Sequence, residues 1–315
     1  MTSNRWKKAH TAESIFEMDL IKDALDKEGI EYVVKEHKDT AYDGLFVLQK
    51  GYATFFIKED DQSAAMSMSR ISKASPMWHF RRIDPFDFCL ERKFISFVGA
   101  GGKTSLAEYL ADEAGKRGKR VALTTTTKIY AGEPYTTIGK SGAATKGGGS
   151  LMRVGKTIEH GKLTGLDEED ILSLGEQYDL VLIEADGAKG HPLKYPTASE
   201  PVIPPCSEGT IVLAGLDGIG RAVKDAVFRW ELLREASGRL EEIVTPSFVL
   251  RLLEKDALMK GVDAPASLLV LNKYDLCSER SEALKLAKAA SEATGVTKVI
   301  VASVKHGVFY GLDSA

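Results

Sequence analysis

The run Gly99-Ala100-Gly101-Gly102-Lys103-Thr104-Ser105 combines the residue types that a polyphosphate chain needs. Glycines let the backbone turn its N–H groups onto phosphate oxygens, a lysine meets the outer phosphates, and a hydroxyl at the next position can ligate Mg2+. An apolar run at 94–98 precedes the glycines and a helical stretch follows them, so the new helix would offer its positive end to the same anion. The usual phosphate loop reads GxxxxGK[ST]; here the spacing is GxxGKT, two residues shorter. A glycine-rich turn between strand and helix with no ligand is the alternative.

A second apolar run, 180–183, ends in Glu184-Ala185-Asp186-Gly187. Carboxylates at the C-terminal edge of a strand stand where an α/β sheet binds its ligand. One of Glu184 and Asp186 could hold Mg2+, directly or through water, while the other orients a nucleophile. Lys103, Glu184 and Asp186 are therefore the catalytic candidates, and Thr104, Glu184 and Asp186 the metal set; a solvated acidic turn would look the same. A third run, 267–271, leads into Asn272-Lys273-Tyr274-Asp275. An aspartate in this NKxD setting can accept two hydrogen bonds from guanine, and adenine would leave it unpaired, a contrast worth about 10⁴ in discrimination. GTP is thus preferred and ATP stays open, because a polar turn closing a strand fits the same letters. Ser303, in Ala302-Ser303-Val304-Lys305, stands where a loop could pack on the base. The expected nucleotide contacts are Gly99, Ala100, Gly101, Gly102, Lys103, Thr104, Ser105, Asn272, Lys273, Asp275 and Ser303.

Two further stretches offer cations. Thr124-Thr125-Thr126-Thr127-Lys128 brings hydroxyls and an ammonium to the same sheet edge, or is simply a β-prone run. Gly187-Ala188-Lys189-Gly190-His191-Pro192-Leu193-Lys194 adds two lysines and a histidine directly after the acidic pair. Thr126, Lys128, Lys189, His191 and Lys194 would suit a second anionic group beside the nucleotide phosphates. His191 could act as a general acid or base, or be structural.

These residues need a scaffold that brings strand ends to one edge. Apolar strands at 94–98, 120–123, 180–183, 210–213, 268–271 and 299–301 alternate with helical stretches such as 105–117. That alternation predicts an α/β domain of P-loop NTPase type, a mostly parallel sheet with helices on both faces. Ahead of it, Phe16, Leu20, Ile21, Ala24 and Leu25 recur at helical spacing over 13–28 and stop at Gly29. Strand-like runs at 31–34, 44–48 and 52–57 and a helical stretch at 60–70 complete a small α+β unit. Ser75-Pro76-Met77 breaks the periodicity, which sets the boundary at 1–76 for the small domain and 77–315 for the nucleotide domain. Asp84-Pro85 opens a short helix through Leu90, and 139–149, rich in Gly, Ser and Lys, is expected to be a surface loop.

Composition narrows the function classes. At 315 residues and 43% hydrophobic content the chain can fill a large core plus a satellite. A formal charge of −3 lacks the basic excess that neutralising a nucleic-acid backbone requires. Cys89, Cys206 and Cys277 form no zinc or disulfide spacing, and no apolar run approaches a membrane span. A cytoplasmic protein without nucleic-acid or membrane partners is expected.

The run Val98 to Ser105, the Thr-Thr-Thr-Thr-Lys segment, Glu184-Ala185-Asp186-Gly187-Ala188-Lys189-Gly190 and Glu200-Pro201-Val202-Ile203-Pro204 resemble the YqeC-type accessory proteins of selenium-dependent molybdenum hydroxylases. Gly215-Leu216-Asp217 and the NKYD segment fit the same order, and the resemblance runs from Asp84 to near the C-terminus. It implies a bacterial maturation factor that helps supply or insert selenium or the molybdopterin cofactor, with a hydroxylase apoprotein or cofactor-assembly proteins as partners. The chain departs from that pattern in its first domain, which is similar to small signal-transducing domains, and at Phe228, where relatives often carry histidine. The short GxxGKT loop is similar to that of the Mur-type ATP-dependent ligases. More distantly, the layout resembles the nickel-insertion GTPases of urease and hydrogenase, with Glu184 to Gly187 as their ExxG. By that likeness the chain would be a homodimeric nucleotide switch, although their cysteine-rich metal site has no counterpart here. Three functions follow: a slow Mg2+-dependent NTPase switch, a nucleotidyl or phosphoryl transferase or ligase acting on a small anion such as a pterin or selenium species, or a non-hydrolysing nucleotide-binding adaptor.

Overall fold

The structure, a computed structural model, describes residues 5–12, 15–37, 51–58, 80–138, 151–238 and 241–312. The expected strand at 44–48, helix at 60–70 and loop at 139–149 lie outside the described residues. The chain divides into two compact units, one running through His79 and the other starting at Phe80.

In the first unit, β1 (Trp6–Ala12), β2 (Tyr32–Glu36) and β3 (Ala53–Lys58) form an antiparallel sheet in the order β1-β3-β2. Met18, Ile21 and Leu25 share one face of α1 (Ile15–Lys27) and pack with Ala53, Phe55 and Ile57 of the central strand. Gly29, at φ +66°, donates its N–H to the Asp26 carbonyl and ends the helix where the sequence places its stop. Strand β1 carries no sequence signal because its first three residues are exposed and only Ala12 is fully buried at its end.

The second unit is built on one ten-stranded sheet. From one edge its order is β4 (Phe80–Arg82), β18 (Val308–Leu312), β17 (Lys298–Ser303), β16 (Ser267–Asn272), β14 (Gly209–Gly215), β5 (Phe94–Gly99), β12 (Leu180–Glu184), β6 (Val121–Thr125), β9 (Leu151–Gly155) and β8 (Tyr135–Thr137). Every neighbouring pair from β17 to β8 is parallel; β18 and β4 close the other edge antiparallel. The central strands are continuous apolar runs because both of their faces are covered. Ile95, Phe97, Leu180 and Leu182 lie in one core with Leu106, Ala107 and Leu110 of α2 (Lys103–Lys116), while Phe94, Val181 and Ile183 lie in another with Ile171 and Leu174 of α3 (Glu168–Gln177). The expected α/β class, a mostly parallel sheet with helices on both faces, is what is found.

Shorter elements frame the strand ends. The expected short helix after Asp84 is a 3-10 helix at Pro85–Cys89, which Asp84 caps by accepting the Phe86 N–H. Strands β7 (Lys128–Tyr130), β10 (Ile158–Glu159) and β11 (Lys162–Thr164) form a small sheet in the order β10-β11-β7, and β13 (Leu193–Lys194) pairs in parallel with β15 (Val227–Phe228). Helices α4 (Val223–Ala226), α5 (Trp230–Ser237), α6 (Pro246–Leu252) and α7 (Arg280–Thr294) complete the unit. Successive chain segments leave the central strand β5 in opposite directions, to β12 and β6 on one side and to β14 and β16 on the other. A crevice therefore forms beyond the carboxyl end of β5, where open α/β sheets take their ligands.

Candidate functional site

The segment leaving β5 turns on glycines at positive φ: Gly99 at +91°, Gly101 at +86° and Gly102 at +125°. A Cβ at Gly101 would stand 2.9 Å from the Pro192 carbonyl oxygen and closer still to the Gly215 backbone, so no larger residue fits. Three of the loop amides are already engaged inside the protein. Gly99 N–H donates to Asp186 Oδ2 at 2.9 Å, Ala100 N–H to the Leu213 carbonyl at 3.0 Å and Gly101 N–H to the His191 carbonyl at 3.2 Å. The groups left for an anion are those of the N-cap Gly102 and the first turn of α2, which a helix cannot satisfy internally.

Lys103 Nζ donates to the Gly99 carbonyl at 2.5 Å and lies 3.0 Å from Asp186 Oδ1, with both side chains buried. That second contact has ion-pair distance without hydrogen-bond alignment, so Asp186 Oδ1 is a buried oxygen with no hydrogen-bond partner. Next to it, Thr104 Oγ1 donates to Glu184 Oε1 at 2.6 Å. Burial pushes the Glu184 carboxyl up from its ordinary range, and the nearby Lys103 ammonium and the Thr104 hydroxyl pull against that shift without cancelling it. A hydroxyl, a strained buried carboxylate and a carboxylate oxygen without a donor are the hard oxygen ligands that Mg2+ selects. The residues present thus fit a Mg2+ ion completed by phosphate oxygens and water. Among the described residues no cluster of three His, Cys, Asp or Glu side chains could hold a metal on its own.

Asp186 also opens a chain of charges that the sequence does not announce. Lys194, fully buried, donates to Asp186 Oδ2 at 3.0 Å, to the Gly187 carbonyl at 2.9 Å and to Glu200 Oε2 at 2.8 Å. Glu200 in turn holds Arg229 in a two-pronged pair, Nη1 on Oε2 and Nη2 on Oε1. Burial alone would raise Glu200, but the hydrogen bonds from Arg229 and Lys194 outweigh it and hold the carboxyl below its ordinary range. The β13–β15 pairing creates this contact, because it sets Lys194 beside Phe228, and the Tyr195 N–H bonds the Phe228 carbonyl. Arg229 follows at φ +65° and Lys189 has φ +46°, both costly for residues with a Cβ. Phe228 stacks on His191 with ring centroids 5.7 Å apart, and the Arg229 guanidinium lies 4.6 Å from the Phe228 centroid. His191 Nδ1 is 3.2 Å from the Asp225 carbonyl, which points it toward a positioning role.

These elements enclose a cleft of about 400 Å³. It is lined by Gly101 to Ser105 and Glu184 on the glycine-loop side, and by Lys128, Tyr130, Lys162, Lys189, His191, Glu200, Phe228 and Arg229. Of the sequence candidates, Gly101, Gly102, Lys103, Thr104, Ser105, Glu184, Lys128, Lys189 and His191 converge there. Asp186 and Lys194 lie behind the lining as buried ions, and the Thr126 hydroxyl donates to the Val202 carbonyl instead of facing the cleft. Asn272, Lys273, Asp275 and Ser303 do not line it either. Asn272 braces the loop from behind: its Nδ2 donates to the Gly101 carbonyl at 2.9 Å and its Oδ1 accepts the Val304 N–H at 3.1 Å. Lys273 pairs with Asp217 at 2.9 Å, the Asp275 N–H donates to Ser303 Oγ at 3.1 Å, and the Asp275 carboxylate is 3.5 Å from His306 Nε2. Glu200, Arg229, Lys162 and Tyr130 were not singled out from the sequence as site residues; the EPVIP run that contains Glu200 was the signal at hand. No described helix is long and apolar enough to cross a membrane.

A family model described as YqeC protein matches residues 95–231, which include the glycine loop, Glu184, Asp186, Lys194, Glu200 and Arg229 but not the NKYD segment. The chain is 35% identical over 180 residues to the uncharacterized protein YqeC of Escherichia coli K12, a match that covers 53% of this chain and 67% of that protein.

Proposed function

The chain belongs to the YqeC family, and from that premise we propose that it is a Mg2+-dependent nucleotide-binding accessory factor that takes GTP or ATP in the cleft beside α2 and turns it over slowly. One observation carries the reading: Lys103, the Thr104–Glu184 pair and the unbonded Asp186 Oδ1 meet at the start of one helix. Lys103 is the residue for the outer phosphates, and its present contacts to Gly99 and Asp186 are ones it exchanges when an anion arrives. Thr104, Glu184 and Asp186 are the groups that would hold Mg2+, whose role would be to neutralise charge developing on the phosphates. Service to selenium-dependent molybdenum hydroxylases, in a cytoplasmic setting, rests on the sequence resemblance alone. Asp275 as reader of guanine rests on the NKYD spacing, with Ser303 beside it.

The test is equilibrium titration of fluorescent GDP and ADP analogues, with and without Mg2+, into the wild type and Lys103→Ala. Mg2+-strengthened binding that disappears in the variant supports the proposal. A wild type that binds neither nucleotide overturns it. Binding without turnover, even over long incubation, would leave the nucleotide as a structural element of an adaptor.

A further inference from the structure

The cleft carries more cationic side chains than its phosphate loop accounts for. Lys103 is matched by Asp186 and Lys128 by Glu159 at 2.7 Å. Lys162 and Lys189 line the cleft with no carboxylate partner among the described residues, and Lys189 Nζ sits 5.4 Å from the Phe228 ring centroid. Arg229 lines the same cleft and is held by a carboxylate that is itself tied to a fully buried lysine. A guanidinium has five N–H donors, and the Glu200 fork uses one on each terminal nitrogen. The remaining donors are pre-oriented, so a second anion meets a fixed group and not a flexible rim cation. The left-handed backbone at both Lys189 and Arg229 is a strain retained at the two residues that aim cations into the space.

We infer that Arg229, Lys189 and Lys162 form a binding site for a second oxyanion, the phosphoryl or comparable oxyanionic group of a small acceptor, occupied together with the nucleotide. This rests on the phosphate-loop reading above. Arg229 is the anchor, Glu200 the group that positions it, and Lys162 and Lys189 supply the remaining charge. The cleft is then a two-substrate site.

The experiment uses the full chain saturated with Mg2+ and a non-hydrolysable GTP or ATP analogue, whichever binds, so that the phosphate loop is filled before inorganic orthophosphate is titrated by calorimetry. The loaded wild type is expected to take up one equivalent of orthophosphate. Arg229→Gln should weaken that uptake at least tenfold while analogue affinity stays within twofold, and the Lys162→Ala/Lys189→Ala double variant should do the same. The double variant changes residues with no carboxylate partner among the described residues, so it carries the test if Arg229→Gln does not fold. Analogue binding with no orthophosphate uptake, or uptake unchanged in the variants, overturns the second site and leaves the first reading standing. Failure to bind either analogue overturns the reading on which the second site depends, and this proposal with it.

Discussion

The glycine-loop end of the molecule and the NKYD segment carry equally suggestive letters, yet their own side chains are bonded differently. Around Lys103 the polar groups are buried and incompletely satisfied: Asp186 Oδ1 has no hydrogen bond, and Glu184 is held against its own desolvation by one hydroxyl and a nearby ammonium. Around Asn272 both polar atoms of the side chain have a protein partner and Lys273 is paired with Asp217 Oδ2, so the segment's own side chains are bonded, although Asp217 Oδ1 behind them is also a buried oxygen without a hydrogen bond. Unspent bonding capacity in a buried site marks a place kept for a ligand or an ion, whereas full satisfaction marks a brace. The family match divides along the same line, including the first region and stopping short of the second.

The strongest way to break this contrast is to remove its centre. Lys103→Ala is expected to lower nucleotide affinity by about 100-fold, since a charge-assisted contact to phosphate is lost inside a cleft; a loss of less than about fivefold would place the anion elsewhere. Asn272→Ala comes next. Losing the bonds to Gly101 and Val304 should cost about 2 kcal/mol in denaturant unfolding and weaken GDP and ADP analogues alike. Asp275→Ala should touch the GDP analogue alone. If Asp275→Ala weakened both nucleotides equally, or Asn272→Ala only one, the division of labour between brace and base reader would be wrong.

Much of the architecture was readable because it depends on neighbours in sequence. The glycine turn, the lysine and the hydroxyl are contiguous, the acidic pair ends its own strand, and the stripe on α1 follows helical spacing. Asn272 was legible as a letter but not as a brace, because its partners Gly101 and Val304 come from other strand ends. Lys194 reads as one more loop cation until the β13–β15 pairing buries it, and Glu200 and Arg229 are 29 positions apart, a separation that no local pattern bridges. Composition counts charges but does not say which are buried, so a network running from Lys103 to Arg229 through Asp186, Lys194 and Glu200 leaves no periodic trace. The edge strands β1 and β4 give no signal for a related reason: they are short or largely exposed, and an exposed strand gives no apolar run to read.

Smaller effects sharpen the comparison at its charged end. Glu184→Gln keeps the shape and the acceptor for Thr104 but removes a buried charge, so it should stabilise the ligand-free protein by about 1–2 kcal/mol in thermal unfolding. The same variant should lose the dependence of nucleotide binding on Mg2+. Stabilisation without that loss would make Glu184 a structural acid, and neither effect would deny that its environment is strained.

The smallest expected change concerns Glu200, and its sign follows from the direction of its shift. Its carboxyl is held below the ordinary 4.5 by Arg229 and Lys194, against the effect of burial, so the folded protein favours the ionised form. That preference contributes stability in full above 4.5 and loses it as pH falls through the lower folded-state value. Glu200→Gln should therefore unfold more easily than the wild type at neutral pH, by about 1 kcal/mol for a pair that remains partly in contact with water. The gap between the two melting temperatures should close as the pH is taken below 4.5, and a gap independent of pH would mean that Glu200 acts through packing and not through its charge. Since Glu184 is shifted upward, the deficit of the wild type against Glu184→Gln should instead shrink as pH falls through its raised folded-state value towards 4.5 and stay constant below that, and these two different pH windows would separate a carboxylate that is paired from one that is waiting for a cation.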